Sequence, residues 1–326
     1  MFVLDSHCDT PSQILRGRDL AKDNPGAHVD FPKLRRGGVD GAFFALYVPA
    51  ELEGEKAYEH AISLLSCVMD TLQANPDKAA LAVSKQQAYQ NKADGLFSMF
   101  LGLENGSPIG RSLDTIDEFY SKGVRYMTLC HSKDNEICDS CASAVKTWDG
   151  LSPFGREVVA RMNKLGMLVD VSHISDKAFY DVLECSSDPV VATHSCCRSL
   201  ACHPRNMTDG MIRALAEKGG VVQINYYPVF LDDSFSEENM MTAPRPSFRR
   251  IADHIDHVVS LVGIDHVGLG SDFDGIDVAP EGLEDISMLG HLFDELKNRG
   301  YSEVDIEKIA SGNFFRILPS SDGGQS

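Results

Sequence analysis

The chain has 326 residues, 43% hydrophobic, 24% charged and 8% aromatic, enough for a large core and near the upper limit of one domain. Length alone allows two domains, although α/β barrels of this size fold as one. A formal net charge of −18 argues against nucleic acid and against an anionic membrane surface as partners, since both call for a basic footprint.

Residues 1–10 contain no basic segment, and their one apolar run, 2–4, stops at Asp5, so no targeting peptide is read there. No stretch approaches the roughly 20 apolar residues of a membrane span. Nine scattered cysteines, an odd number, suit a reducing compartment better than a disulfide framework. A soluble, cytoplasmic protein is therefore expected, and the sequons at Asn105 and Asn206 are read as chance matches.

In chain order, short apolar runs at 2–4, 42–48, 96–103, 124–129, 167–171, 190–192, 220–224 and 266–270 read as eight strands. Amphipathic stretches at 55–73, 113–122, 154–165, 176–184, 209–218 and 248–262 read as helices between them. Glycines at 123, 166 and 219–220 suit helix C-termini that lead into the next strand. Strands apolar on both faces and alternating with helices indicate a parallel sheet, and eight such units a (β/α)8 TIM-like barrel. A count lower by one would allow an open doubly wound sheet. The expectation is one domain over 1–319, with the Ser/Gly-rich residues 320–326 as a flexible tail.

Residues able to bind metal or to titrate follow six of the eight runs: His7 and Asp9, Glu104, His131, His173 with Asp170, His194, and Asp272 with Asp274. In a parallel barrel the strand C-termini converge on one rim, where active sites form. His7-x-Asp9 on extended chain points both side chains the same way. Imidazole with carboxylate suits zinc, without excluding manganese, cobalt or iron. His7, Asp9, Glu104, His173 and His194 exceed one tetrahedral site and suit two ions that share a carboxylate and a hydroxide.

On these motifs the sequence resembles the membrane (renal-type) dipeptidases, zinc metallopeptidases with a (β/α)8 barrel. The likeness runs from Asp5-Ser-His-Cys-Asp-Thr-Pro11 to Gly312-Asn-Phe-Phe-Arg-Ile-Leu318. It implies that His7 and Asp9 hold one zinc, His173 and His194 the other, and that Glu104 bridges them. It also implies that His131 reaches the scissile carbonyl, Arg205 holds the substrate carboxylate and Asp272 transfers protons. The implied reaction is hydrolysis of a dipeptide by a hydroxide generated at the two metals. The resemblance suggests a homodimer as well. Departures from the animal members are Cys8 between the first two ligands, His203-Pro204 before the arginine, and a segment, 226–250, that cannot be matched and could contact substrate at the rim.

Other signals read as structural. His254-x-x-His257 has ligand spacing, but Ile251, Ile255, Val258 and Val262 form the apolar stripe, which puts both histidines on the flank or surface. His28, His60, His203, His266 and His291 are read likewise. Cys138-x-x-Cys141 has no second pair to complete a zinc ribbon. Asp170 and Asp274 are either partners that orient a histidine or caps. Alternatives to a dipeptidase are another barrel amidohydrolase, acting on an N-acyl or lactam bond, and a catalytically silent metal- or ligand-binding barrel.

Overall fold

The computed structural model describes residues 1–319; the expected tail, 320–326, lies outside the described residues. Nine parallel strands form one sheet: β1 (Leu4–Cys8), β2 (Gly41–Tyr47), β3 (Ala79–Leu81), β4 (Phe97–Glu104), β5 (Val124–Thr128), β6 (Leu168–Asp170), β7 (Val191–Ala192), β8 (Val221–Ile224) and β9 (Val267–Leu269). Eight of them follow the order β1-β2-β4-β5-β6-β7-β8-β9. Beyond β9, a parallel bridge from Cys8 to Phe273 and two hydrogen bonds (Asp9 N–H to Phe273 O, 2.8 Å; Asp272 N–H to His7 O, 3.0 Å) tie the last strand to the first. The result is a nearly closed α/β barrel of TIM type.

β3 is additional to the eight expected strands. It pairs with Phe97–Met99 at the start of β4, below the point where β5 begins its own pairing at Leu101. β4 is the longest strand, and its two halves serve different neighbours on that edge.

The six expected helices are present, for example Gly54–Ala74, Pro153–Leu165 and Arg249–Val262, while Thr10–Leu15, Phe31–Gly37, Lys85–Ala93 and Gly290–Asn298 are among the helices the periodicity does not point to. Ser152, Ser175 and Thr208 accept from backbone N–H groups two or three residues into the helices they cap. Gly166 closes the Pro153–Leu165 helix in the left-handed conformation, φ 74°, which costs glycine no Cβ clash. No helix among the described residues is long and apolar enough to cross a membrane.

Alternation along the strands sorts the core into two parts. Outward side chains such as Phe44, Leu101 and Met127 meet the helices, while Leu4, Phe43, Phe100, Tyr126, Leu168, Val191 and Val221 fill the barrel interior. The interior is closed below by Phe314, Phe315, Ile317 and Leu318 at the C-terminal end of the described chain. Phe43 lies 4.7 Å from Phe100 and 5.0 Å from Phe314, centroid to centroid, and Phe2 lies 5.2 Å from Phe315. Phe100, Gly102 and Glu104 share the inward face of β4 at a period of two. A Cβ at Gly102 would come within 2.1 Å of the Tyr126 ring, so only glycine leaves that ring its place beneath Glu104.

Candidate active site

The first strand is longer than its apolar residues suggest. Asp5, Ser6, His7 and Cys8 belong to β1, and its pairing with β2 slips between Asp5 and Cys8, where three steps on β1 match two on β2. Such a bulge re-aims a side chain at a barrel rim. Asp9 is not extended chain; with φ −91° and ψ 22° it is the N-cap of the helix Thr10–Leu15. His7 and Asp9 nevertheless converge, Nε2 to Oδ2 at 3.6 Å, while Cys8 points outward with its thiol on Phe43 O.

Glu104 ends β4 pointing inward, and its two oxygens face different partners. Oε2 lies 3.4 Å from Nε2 of His7; Oε1 lies 3.1 Å from Nε2 of His173, 3.5 Å from Nε2 of His194 and 3.9 Å from Nε2 of His131. The Nε2 atoms of His173 and His194 are 2.8 Å apart. Ligand atoms around a tetrahedral zinc with bonds of 2.0–2.1 Å are separated by about 3.3 Å, so this triangle has the dimensions of one face of such a site. Nε2 of His7, Oδ1 of Asp9 and Oε2 of Glu104 are buried without a hydrogen-bond partner among the described residues. Buried polar atoms are rarely left so, and three converging lone-pair donors fit a cation.

The charges point the same way. Burial, then the charges of Arg205 and of the neighbouring histidines, holds the imidazole of His173 well below the ordinary histidine range. Burial, with His7 and Arg205, does the same for His194, and neutral imidazole is the ligand form. Burial works against protonating His7, but the Glu104 and Asp9 carboxylates outweigh it and raise its pKa well above the ordinary value. The pair of acids therefore draws positive charge to that end of the site.

Hydrogen bonds behind the candidate ligands fix which nitrogen is free. Asp170 accepts from the Thr193 hydroxyl at 2.7 Å, and Thr193 Oγ1 lies 2.9 Å from Nδ1 of His194. With the Thr193 proton given to Asp170, its oxygen accepts from Nδ1–H and leaves Nε2 of His194 unprotonated. Of the two readings of Asp170, orientation of a histidine is the one the contacts support. Asp274 instead accepts from Arg18 at 2.7 Å and Thr10 at 2.8 Å, a structural tie between the loops after β1 and β9.

Around this cluster stand the other residues the sequence singled out. Asp272 lies with His7 and Asp9 in a group whose ligand atoms are all within 4.8 Å of one another. Its carboxylate accepts from Asn225 at 2.8 Å, and burial, reinforced by the Asp9 charge, pushes it up to about 7. A Cβ at Gly275 would come within 2.1 Å of Asp9 and 2.5 Å of Asp272, so that turn can approach both carboxylates only as glycine. His131 packs edge-on against Tyr47 at 4.9 Å, and burial and the Arg205 charge lower its pKa to about 4. Arg205 donates to His194 O at 3.0 Å and lies over Phe230, with Nε buried and unpartnered among the described residues. His173 and Asp272 are both left-handed, at φ 70° and 61°, a cost that sites of this kind commonly carry.

Tyr126, Thr193, Asn225 and Gly275 were not singled out from the sequence. Their roles arise from residues far apart in the chain, 119 positions in the case of Tyr126 and His7. Of the rejected histidines, His254 is fully buried rather than on a flank or the surface. Its Nδ1 accepts from Cys197 N–H at 3.0 Å and its Nε2 lies 3.1 Å from Leu231 O, so both nitrogens are used within the fold. His257 meets Asp209 at 2.8 Å. Within 226–250, Phe230 and Asp232 brace the Arg205 loop and the helix behind it.

A family model for membrane dipeptidase, peptidase family M19, matches residues 1–323. The dipeptidase aclJ of Aspergillus oryzae is 35% identical over 325 residues, 97% of this chain and 75% of that protein. Among solved structures, a metallopeptidase from Rhodobacter sphaeroides, liganded with a phosphinate mimic of the dipeptide L-Ala-D-Ala, superposes with a TM-score of 0.89 at 28% identity and 98% coverage of both chains. The probable dipeptidase PvdM of Pseudomonas aeruginosa gives 0.89 at 26% identity, with 98% of this chain and 94% of that one covered. The match over the whole length, together with a rim of histidines and carboxylates built to take metal, makes this chain a metallo-dipeptidase of the membrane dipeptidase family, M19.

Proposed function

We propose that residues 1–319 form a single metallohydrolase domain that cleaves dipeptides with two zinc ions, one held by His7 and Asp9, one by His173 and His194, and bridged by Glu104. The observation that carries this reading is the division of the Glu104 carboxylate, Oε2 toward His7 and Oε1 toward the His173–His194 pair. When bound, two such ions activate water at neutral pH and polarise the carbonyl under attack.

The side chains divide the remaining work. Asp272, buried beside His7 and Asp9 and oriented by Asn225, takes the proton of the attacking water and returns it to the departing amine. His131, neutral at working pH, donates a hydrogen bond to the carbonyl oxygen as negative charge develops there. Arg205, fixed at one edge by His194 O, offers the unpartnered Nε edge of its guanidinium to the C-terminal carboxylate of the substrate. An anchor so close to the reacting centre selects chain length. The nine free cysteines support the expected cytoplasmic setting, and the resemblance supports a homodimer, to be checked by light scattering in solution.

The test combines metal counting with turnover. Two equivalents of zinc per chain at full activity on a dipeptide panel, and loss of turnover with chelator, are expected; full activity at one equivalent overturns the binuclear reading. Arg205→Ala should raise KM for dipeptides and narrow the gap to tripeptides, and wild-type kinetics in that variant would remove Arg205 from the anchor role.

A further inference from the structure

The two arginines that follow the first ligand pair have different fates. Arg18 is committed to Asp274 at 2.7 Å. Arg16 makes no side-chain hydrogen bond or ion pair among the described residues, yet it lines the same cavity, about 470 Å³, as Asp9, Glu104, His131 and Asp272.

Its position follows from the helix that begins at Asp9. Asp9 is the N-cap and Arg16 the C-cap of that helix, and Ser12 and Gln13 line the cavity between them. Residues 9, 12, 13 and 16 recur at the spacing of one helical face. Seven steps of helix carry Arg16 about 10 Å from Asp9 along the axis. Arg16 thus places a cation on the cavity wall formed by the β1 loop, whereas Arg205 belongs to the loop after β7.

We infer that Arg16 is a specificity residue that selects dipeptides with an acidic side chain on the N-terminal residue. The inference rests on the dipeptidase reading above: with the C-terminal carboxylate at Arg205, the substrate crosses the Glu104 centre and its first side chain reaches the wall of Asp9, Gln13 and Arg16. An aspartyl or glutamyl side chain there gains a charge-assisted contact that its amide counterpart cannot make. Asp277 on the β9 loop, also in the lining and with no ion pair or side-chain hydrogen bond among the described residues, acts against an acidic side chain and limits the preference.

The experiment compares kcat/KM for glutamyl-alanine, glutaminyl-alanine and lysyl-alanine within each preparation of metal-loaded enzyme, with alanyl-alanine as reference. Wild type should favour glutamyl- over glutaminyl-alanine about tenfold, the scale of one charged contact at a partly solvated site, expressed mainly in KM. The ratio should fall to about one in Arg16→Gln, persist in Arg16→Lys, rise in Asp277→Asn and shift toward lysyl-alanine in Arg16→Glu, since each change alters one charge at the wall. A wild-type ratio of one or below, or a ratio unchanged in Arg16→Gln, overturns the inference while alanyl-alanine turnover leaves the dipeptidase reading intact. Absence of alanyl-alanine turnover overturns both.

Discussion

At the lower end of the barrel Phe43, Phe100 and Phe314 meet ring to ring at 4.7–5.0 Å, and Phe2 closes on Phe315. At the upper end, buried atoms of His7, Asp9 and Glu104 have no hydrogen-bond partner among the described residues, and four non-glycine residues near them, Asn105, His173, Asp272 and Asp274, are left-handed. The floor gains stability from every side chain it buries; the rim holds desolvated carboxylates and backbone strain worth about 1–3 kcal/mol at each such residue. Strands that run between the two ends let the packing of one offset the cost of the other. A rim arranged for a cation and a substrate is therefore expected to be a net cost to the metal-free fold.

The largest effect is expected from a change at the centre of the rim. Glu104→Gln keeps the shape and removes the charge. Turnover of alanyl-alanine should fall by more than about a hundredfold, beyond what loss of a residue that merely supports a ligand costs. Above the raised pKa of His7, where the neutral ring leaves the buried Glu104 carboxylate without a cationic partner, the melting temperature of the metal-free protein should hold or rise. Melting curves in chelator alongside turnover of the loaded enzyme read both. A large drop in metal-free stability would show the rim to be load sharing with the floor after all.

Phe100→Ala makes the complementary change. Phe100 is fully buried, and its loss should cost about 3–5 kcal/mol of stability in denaturant titration, from lost burial and the cavity left behind. Turnover per folded molecule should stay within a few-fold of wild type, since the ring lies below the proposed ligands. A hundredfold fall in turnover per folded molecule would mean that the floor, too, sets the geometry of the site.

How far each end was legible in the sequence follows the same division. Apolar runs located all eight strands of the barrel, because the outward faces and the lower interior are apolar. They understated β1, ending it at Leu4 although the strand runs through Asp5-Ser-His7 to Cys8, since the upper interior of the barrel is polar where the site forms. β3, Ala79–Leu81, is too short to give a pattern and exists only because the start of β4 is unpaired on one side. The ligand types at the strand ends were visible; the partners that fix their tautomers were not, because Thr193 behind His194 depends on strand register rather than on spacing. His254 misled for a related reason. It lies off the apolar stripe of its helix, yet Cys197 N–H and Leu231 O, from two other loops, satisfy it in the interior.

Tyr126 is the residue in which the two ends meet, and the smallest of the expected effects is the most discriminating. Its ring lies 5.1 Å from Phe43 and belongs to the floor, while its hydroxyl is 2.8 Å from Nδ1 of His7. Nε2 of His7 can serve a metal only if the proton of the neutral ring stays on Nδ1, where the Tyr126 oxygen is the nearer of two acceptors; Thr193 Oγ1 is at 3.5 Å. Tyr126→Phe keeps the ring and removes that acceptor. Competition titration against a chelator should show zinc affinity reduced about ten- to a hundredfold. Unfolding of the metal-free protein should shift by no more than about 1 kcal/mol, the net worth of one hydrogen bond. Unchanged zinc affinity with a stability loss on the scale of Phe100→Ala would assign Tyr126 wholly to the floor; the expected split makes its single oxygen the point at which aromatic packing sets the protonation of a proposed ligand.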